Sequence, residues 1–297
     1  MTLNFPYDEA YSRNIGWLTR EEQQRLRGKR IAIAGLGGVG GAHLLTLARL
    51  GVGAFNIADL DTFDYVNFNR QAGAFVSTLG QAKTDVLLRM AKDINPELDI
   101  KVFGRGIGVD NVDRFLENVD LYVDGLDFFV FAARALVFDR CHTRRIPAVT
   151  AAPLGMGSAV LCFMPGHMSF EDYFGFAGRS DDELALRFMI GLSPALLHRP
   201  YLVDASAVDL DGRRGPSTAI ACDLCAGLAA TESLKILLGR GKVLTAPHGY
   251  HFDAYRNRFV RTWRPWGHRN PIQRLMLAFA RRQLASLRAQ AAASRHD

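Results

Sequence analysis

A chain of 297 residues with 48% apolar and 22% charged side chains can fill a sizeable core as one large domain or two small ones, which excludes a disordered or fibrous chain. No run of about 18 apolar residues is present, so no membrane span is expected; the opening MTLNFPYDEAYSRN lacks the pattern of a signal peptide, and four cysteines are too few for a disulfide framework and are expected as reduced thiols in a cytoplasm. The net charge of +6 misleads: from Arg256 onward there are ten Arg and one acid, Asp297, leaving 26 basic and 29 acidic side chains before that point, a net of −3, so the pI by itself gives the body no nucleic-acid surface.

In chain order, the opening holds Tyr11-Ser12-Arg13-Asn14 and a polar helix candidate from Thr19 to Arg27. Arg30 to Ala34 is predicted as a buried strand, Val39 to Leu50 as a helix and Ala54 to Asp59 as a second strand. Gln81 to Ile94 is a helix with Pro96 just past its end. Ile100 to Phe103, Leu121 to Asp124 and Ala148 to Ala151 are further strands with helices between. Such alternation predicts a parallel sheet covered on both faces. Residues 164–215 break the pattern as a long irregular connection rich in Pro, Gly, Asp and Arg. A helix resumes from Pro216 to Leu238, Tyr250 to Trp263 alternates like a hairpin, and Asn270-Pro271 opens a last helix to about Ala289. The expected organisation is a body over 1–270 and a tail over 271–297.

Three pieces carry chemistry. Gly35-Leu-Gly37-Gly38-Val-Gly40 follows a strand and opens a helix, and Asp59 ends the next strand 19 residues beyond Gly40. Glycines there let backbone approach a phosphate at a helix N-terminus, and the acid can accept ribose hydroxyls. The glycines alone do not separate NAD, FAD and ATP; a turn that only packs helix on sheet is the plainer reading. Asp61, Asn67, Asn69, Arg70 and Gln71 follow, and Lys83 opens the next helix; added Arg and Lys charge suits triphosphate chemistry, against a solvated charge pair. Asp124, and Asp127 just beyond it, stand at the exit of a parallel strand, where open α/β sheets bind ligands. A carboxylate there can hold Mg²⁺, while Asp124 can equally cap the following helix.

With GLGGVG, Asp59-Leu-Asp61, VNFNRQ, Gly80-Gln-Ala-Lys83 and the Asp127 exit in order, the chain resembles the ThiF/MoeB/HesA family, relatives of ubiquitin-activating enzymes, over about residues 8–265. The resemblance implies an α/β Rossmann-like, doubly wound sheet, parallel in its first half and antiparallel in its second, with helices on both faces, usually in a homodimer. It implies ATP-dependent adenylation of a carboxylate, often the C-terminus of a ubiquitin-like carrier protein or peptide. Carried over residue by residue, it makes the loop Gly35, Gly37, Gly38 and Gly40 the nucleotide cradle, with Gly38 acting through its backbone. Asp59 would meet ribose, with Asp61 beside it. Asn67, Arg70 and Lys83 would meet phosphates, and Asp127 would hold Mg²⁺. Arg13 would enter the neighbouring subunit's site. The attacking carboxylate is already ionised at pH 7, so catalysis reduces to positioning and charge stabilisation.

The sequence departs from that pattern in places. Many relatives hold Zn²⁺ with two C-x-x-C pairs; here the corresponding regions read HMSFEDYF and RPWGHRN. Cys222-Asp-Leu-Cys225 lies inside a helix and supplies two ligands where zinc wants four, so zinc is not expected. Residues 163–221 contain no cysteine, which rules out a thioester on that connection. Phe128 follows Asp127 where the family often has Asn. The tail carries Ile272, Leu275, Met276, Phe279 and Leu287 between arginines, a basic amphipathic helix that either packs on the body or meets an anionic partner or membrane surface.

Carrier or peptide activation is the leading expectation. A tRNA threonylcarbamoyladenosine dehydratase-like enzyme is the alternative, favoured by Asn67-Phe-Asn-Arg-Gln71, by the absence of a thioester and by the Arg-rich tail. A non-catalytic nucleotide-binding adaptor subunit is a further one, opposed by Arg13, Arg70, Lys83 and Asp127 together. An NAD oxidoreductase shares only the glycine turn and Asp59.

Overall fold

The computed structural model describes residues 5–209 and 211–293. The chain opens with a short helix α1 (Tyr7–Ala10), a 3₁₀ turn (Ser12–Asn14) and α2 (Arg20–Arg27). Thr19 caps α2 and Glu22 returns the favour: the Glu22 N–H donates to Thr19 Oγ1 at 3.1 Å and the Thr19 N–H donates to Glu22 Oε2 at 2.9 Å, satisfying two amide donors that the first turn leaves open.

Eight strands form one sheet in the order β3-β2-β1-β4-β5-β6-β7-β8, with β1 (Arg30–Ala34), β2 (Ala54–Ala58), β3 (Asp99–Phe103), β4 (Leu121–Asp124), β5 (Ala148–Leu154), β6 (Gly157–Phe163), β7 (His248–Asp253) and β8 (Arg258–Trp263). The first five pair in parallel and β5 through β8 are antiparallel. This is the mixed doubly wound sheet that the family resemblance implies, where strand and helix alternation alone predicts a parallel one. Alternation splits the core between the faces. Ile31, Ile33 and Val123 join a cluster under α3 (Gly38–Leu50), α4 (Lys83–Ile94) and α9 (Ala219–Leu238). Ala32, Ala34 and Tyr122 meet the opposite helices α5 (Val112–Phe115), α6 (Phe131–Thr143), α7 (Phe170–Phe174) and α8 (Asp181–Leu192), through a cluster rich in Phe.

The connection over 164–215 is less irregular than expected. Ser169 caps α7, accepting from the Asp172 N–H at 3.0 Å, and Asp181, Asp182 and Glu183 fill the first turn of α8, where carboxylates suit the helix dipole. Gly175 and Gly178, both at positive φ, separate the two helices and made the segment read as loop. Helix α9 starts at Ala219 rather than Pro216, because Thr218 is its cap. The last helix α10 (Pro271–Ala293) packs on α8 through Leu277 against Leu186 and Ile190. Arg281 pairs with Glu183, and Arg288 with Asp182 and Asp211. Leu287, counted in the tail's apolar set, lies outside the described side chains.

Candidate functional site

The phosphate loop sits where β1 hands over to α3. Gly35 has φ +83, open to glycine without strain. A Cβ on Gly35 would overlap the Gly125 carbonyl, and one on Gly40 would overlap the Gly35 carbonyl, so three glycines let α3 close on the ends of β1 and β4. Gly37 faces the Gln71 carboxamide, and a Cβ on Gly38 would stand 2.9 Å from Cys222 Sγ and 3.5 Å from Arg70 Cδ.

Asp59 ends β2 and ties the loop down. Its carboxylate accepts the Leu36 N–H at 2.6 Å and the Asp61 N–H at 2.8 Å; a carboxylate offers about four acceptor positions, so capacity for a ribose remains. Asp61 pairs with Lys83 Nζ at 3.1 Å, and the lysine side chain is 7% exposed against 58% for Asp61. Asn67 is buried and its Oδ1 accepts the Asp64 N–H at 3.0 Å, closing the 3₁₀ turn Tyr65–Asn67. Arg70 donates to the Val66 carbonyl at 3.0 Å and to Asn69 Oδ1 at 2.8 Å; no carboxylate among the described residues neutralises it. Asn69 Nδ2 also donates to the Ser217 carbonyl at 2.8 Å, stitching this segment to the start of α9. Gln71 is buried with Oε1 unpartnered.

On the other side, the β4 exit carries Asp127, exposed and with Oδ1 accepting only the Phe129 N–H at 3.1 Å. Asp124 is different, and neither reading made for it holds. It is 3% exposed and accepts from Arg134 Nε at 2.8 Å, Thr150 Oγ1 at 3.0 Å, Tyr122 Oη at 3.2 Å and the Leu126 N–H at 3.3 Å. Its acceptor positions are filled, so it neither faces a metal nor caps α6, which begins after Val130 with no side-chain cap. Burial and the nearby Asp124 charge push the Tyr122 hydroxyl well above its ordinary pKa, keeping it a donor. Arg134 escaped sequence reasoning. It is 2% exposed and donates to the carbonyls of Leu126 at 2.6 Å, Asp127 at 3.0 Å and Phe128 at 3.1 Å, holding the loop that carries Asp127. An arginine in helical phase with Phe131, Val137 and Phe138 was the available signal.

Gly35 to Gly40, Asp59 and Asp127 follow the C-terminal ends of the adjacent strands β1, β2 and β4, whose backbones run about 5 Å apart, and Asp61, just past β2, holds Lys83. Arg13 does not join them. Its segment is tied to the far end of α3: Tyr11 Oη donates to the Ala48 carbonyl at 2.9 Å and Asn14 Nδ2 to the Leu50 carbonyl at 3.3 Å. Twelve residues of helix separate that end from Gly38, or about 18 Å.

All four cysteines are buried and free; Cys225 Sγ donates to Ser158 Oγ at 3.1 Å, and burial raises the thiol pKa of each. Among the described residues no group of three or more His, Cys, Asp or Glu is arranged to hold a metal. As a lone carboxylate with one oxygen uncommitted, Asp127 fits the sparse protein ligation typical of Mg²⁺, which takes its other ligands from water and phosphate.

Fold and crevice define a doubly wound α/β protein of the nucleotide-binding class. The ThiF family model matches residues 11–275, and the chain belongs to the ThiF family. Among its relatives, the tRNA threonylcarbamoyladenosine dehydratase of Bacillus subtilis is 40% identical over 90 residues, 30% of this chain and 35% of that protein. Matches to the first three curated relatives, all of that name, span 35% to 57% of their lengths. Among solved structures, E. coli MccB with ATP superposes with a TM-score of 0.63 at 18% identity, covering 86% of this chain and 71% of that one. The E. coli tRNA threonylcarbamoyladenosine dehydratase gives 0.58 at 20%, covering 78% and 95%.

Proposed function

We propose that this chain is an ATP-dependent adenylyltransferase that activates a carboxylate as an acyl adenylate and releases pyrophosphate. The observation that carries the reading is an open glycine loop flanked by Asp127 past the end of β4 and by Lys83, which Asp61 holds past the end of β2. Backbone amides at Gly38 and the N-terminus of α3 would cradle phosphate, and Asp59 would meet the ribose. Asn67, Arg70 and Lys83 would balance charge as pyrophosphate leaves. Asp127 would hold Mg²⁺, which screens phosphate oxygens when bound. Lys83 is buried and held by Asp61 at 3.1 Å, which would place its charge before the reaction begins.

The thiols bear on what receives the activated acyl group. Each is buried and protonated, so the activated acyl group has no cysteine of this chain to move to. That favours capture by a nucleophile on the substrate itself, a course compatible with the loss of water that the name dehydratase gives three of the relatives. A carboxylate activated on a threonylcarbamoyl group can be attacked from within the same group, expelling AMP, with loss of water as the net result. The reading we put first is therefore a tRNA-borne carboxylate. A carrier-protein or peptide C-terminus is the second. Free ATP and reduced thiols suit a cytoplasmic setting.

The test is ATP–pyrophosphate exchange and AMP release with threonylcarbamoylated tRNA, and separately with a peptide ending in Gly-Gly, alongside calorimetry with ATP and NAD. ATP should bind with Mg²⁺ and NAD should not, and AMP release should require the tRNA. Tighter NAD binding would overturn the adenylation reading; AMP release with the peptide alone would reverse the order of the two substrates.

A further inference from the structure

We infer that the outer face of the edge strand β8 binds single-stranded RNA. The inference rests on the tRNA-directed form of the function proposed above and names the surface that would hold the RNA. Strand β8 ends the sheet. Its register sets Phe259 beside Phe252, Arg261 beside Tyr250 and Trp263 beside His248, so Phe259, Arg261 and Trp263 share one face. Helix α9 covers Tyr250, whose hydroxyl donates to Glu232 Oε1 at 3.1 Å. That cover stops at β7: Phe259 is 54% exposed and Trp263 59%, and Arg261 is exposed.

The three side chains form an ordered series. Phe259 leans on Tyr250 with ring centroids 5.3 Å apart, and Trp263 lies nearly parallel to His248 at 6.1 Å and 22°. Arg261 lies between Phe259 and Trp263 along the strand, with its guanidinium over the Phe259 ring, 6.0 Å from the centroid. Alternate residues on a strand are about 7 Å apart. Ring, guanidinium and ring at that step match a strand of nucleotides, whose bases stack on the rings while a phosphate meets the charge. The bases of a duplex are stacked on one another and present only edges, so the face suits unpaired nucleotides.

Charge favours RNA over other occupants. Arg261, the charge on this face, has no carboxylate partner among the described residues, whereas Arg281 and Arg288 of α10 are neutralised. An apolar protein face set on Phe259 and Trp263 would bury Arg261 unpaired, at a desolvation cost that RNA phosphate offsets.

The experiment is fluorescence anisotropy with a fluorescein-labelled 12-nucleotide RNA of mixed sequence, single-stranded and annealed to its complement, titrated with the full chain over 50–200 mM salt. The single strand should bind more tightly than the duplex. Trp263→Ala should weaken it about tenfold with the salt slope unchanged, and Trp263→Phe should restore most of the loss. Arg261→Gln should lower the slope of log K against log salt by about 0.7. Equal binding of the duplex, an unaltered Trp263→Ala, or preference for anionic vesicles or polyglutamate over the single strand would each overturn the inference. Pyrophosphate exchange on the same preparations separates the two readings. Exchange with no RNA binding removes only this surface, whereas wild-type protein without exchange removes the adenylation reading whatever the RNA does.

Discussion

Asp124 and Asp127 stand three residues apart on one strand exit and do opposite work, because a single arginine from the following helix takes one and frees the other. Arg134 pairs with Asp124 in the interior and pins the Leu126, Asp127 and Phe128 carbonyls, so the carboxylate of Asp127 is turned outward. Removing one partner of a buried pair leaves an uncompensated charge, at roughly 3–5 kcal/mol. Arg134→Met should therefore lose that much stability in urea melts. Asp127→Ala should change stability by about 1 kcal/mol or less yet reduce pyrophosphate exchange at least about a hundredfold; exchange near the wild-type rate would remove Asp127 from the metal role. In the sequence the two carboxylates looked alike, since what separates them is a contact made ten residues later. His43 gives the second residue-scale expectation. It is fully buried with both ring nitrogens unpartnered, and burial pushes its pKa down to about 4 against an opposing pull from Asp124. Burial does the same to His251, also to about 4. The folded chain keeps both rings neutral while the unfolded chain takes up protons near pH 6.5, so stability is lost as pH falls from about 6.5 toward 4, by up to about 1.4 kcal/mol per unit for each ring. His43→Leu should flatten this slope. Urea melts at pH 5.0 and 7.5 should show a larger gain at the lower pH, and an equal gain at both would contradict the burial argument.

Elements were legible where ends are marked by local chemistry. Strand β1 and β4 bounds, the start of α3 at the glycine loop and the Gly239 helix end at positive φ follow from residues adjacent to the boundary, while Thr19, expected as the first residue of α2, is its cap. The contact between α3 and α9 was not legible, because it joins positions nearly two hundred residues apart. There Cys222 Sγ packs against Gly38, so the spacing of the two helices is set by a glycine and a thiol. Gly38→Ala should cost about 1–3 kcal/mol by overpacking and weaken ATP binding. Cys222→Ala alone should leave exchange largely intact, since no thiol enters the proposed chemistry. Combined with Gly38→Ala it should recover stability, giving a double-mutant coupling of about 1 kcal/mol. Strictly additive melts would show that the two residues do not share this contact. Loss of exchange in a well-folded Cys222→Ala protein would give the thiol a chemical role.

At the scale of the molecule, the sheet order sets the glycine loop and the Asp127 loop side by side past the ends of β1 and β4, and Asp61, just past β2, holds Lys83 from the start of α4. Arg13 is the exception. The N-terminal segment that carries it is held at the Ala48–Leu50 end of α3 by Tyr7, Tyr11 and Asn14, so the length of that helix lies between Arg13 and its own phosphate loop. Helix length thus forbids Arg13 from serving the site of its own chain while leaving it exposed to another. A charge supplied by a second subunit can meet the α-phosphate from the open side of the crevice, where the chain's own strands offer no room. The exposed Leu60, Tyr65, Val66, Phe75 and Val76 beside the crevice form an apolar border of the kind that subunit contacts cover. We therefore expect a two-fold dimer with composite sites. Arg13→Ala and Asp127→Ala proteins should each be inactive in pyrophosphate exchange and, when mixed under conditions of subunit exchange, should recover about a quarter of wild-type activity. Random mixing makes half the dimers mixed, and each mixed dimer has one site with both groups intact. A fully active monomer by light scattering, or no recovery despite mass-spectrometric proof of mixed dimers, would confine Arg13 to its own surface.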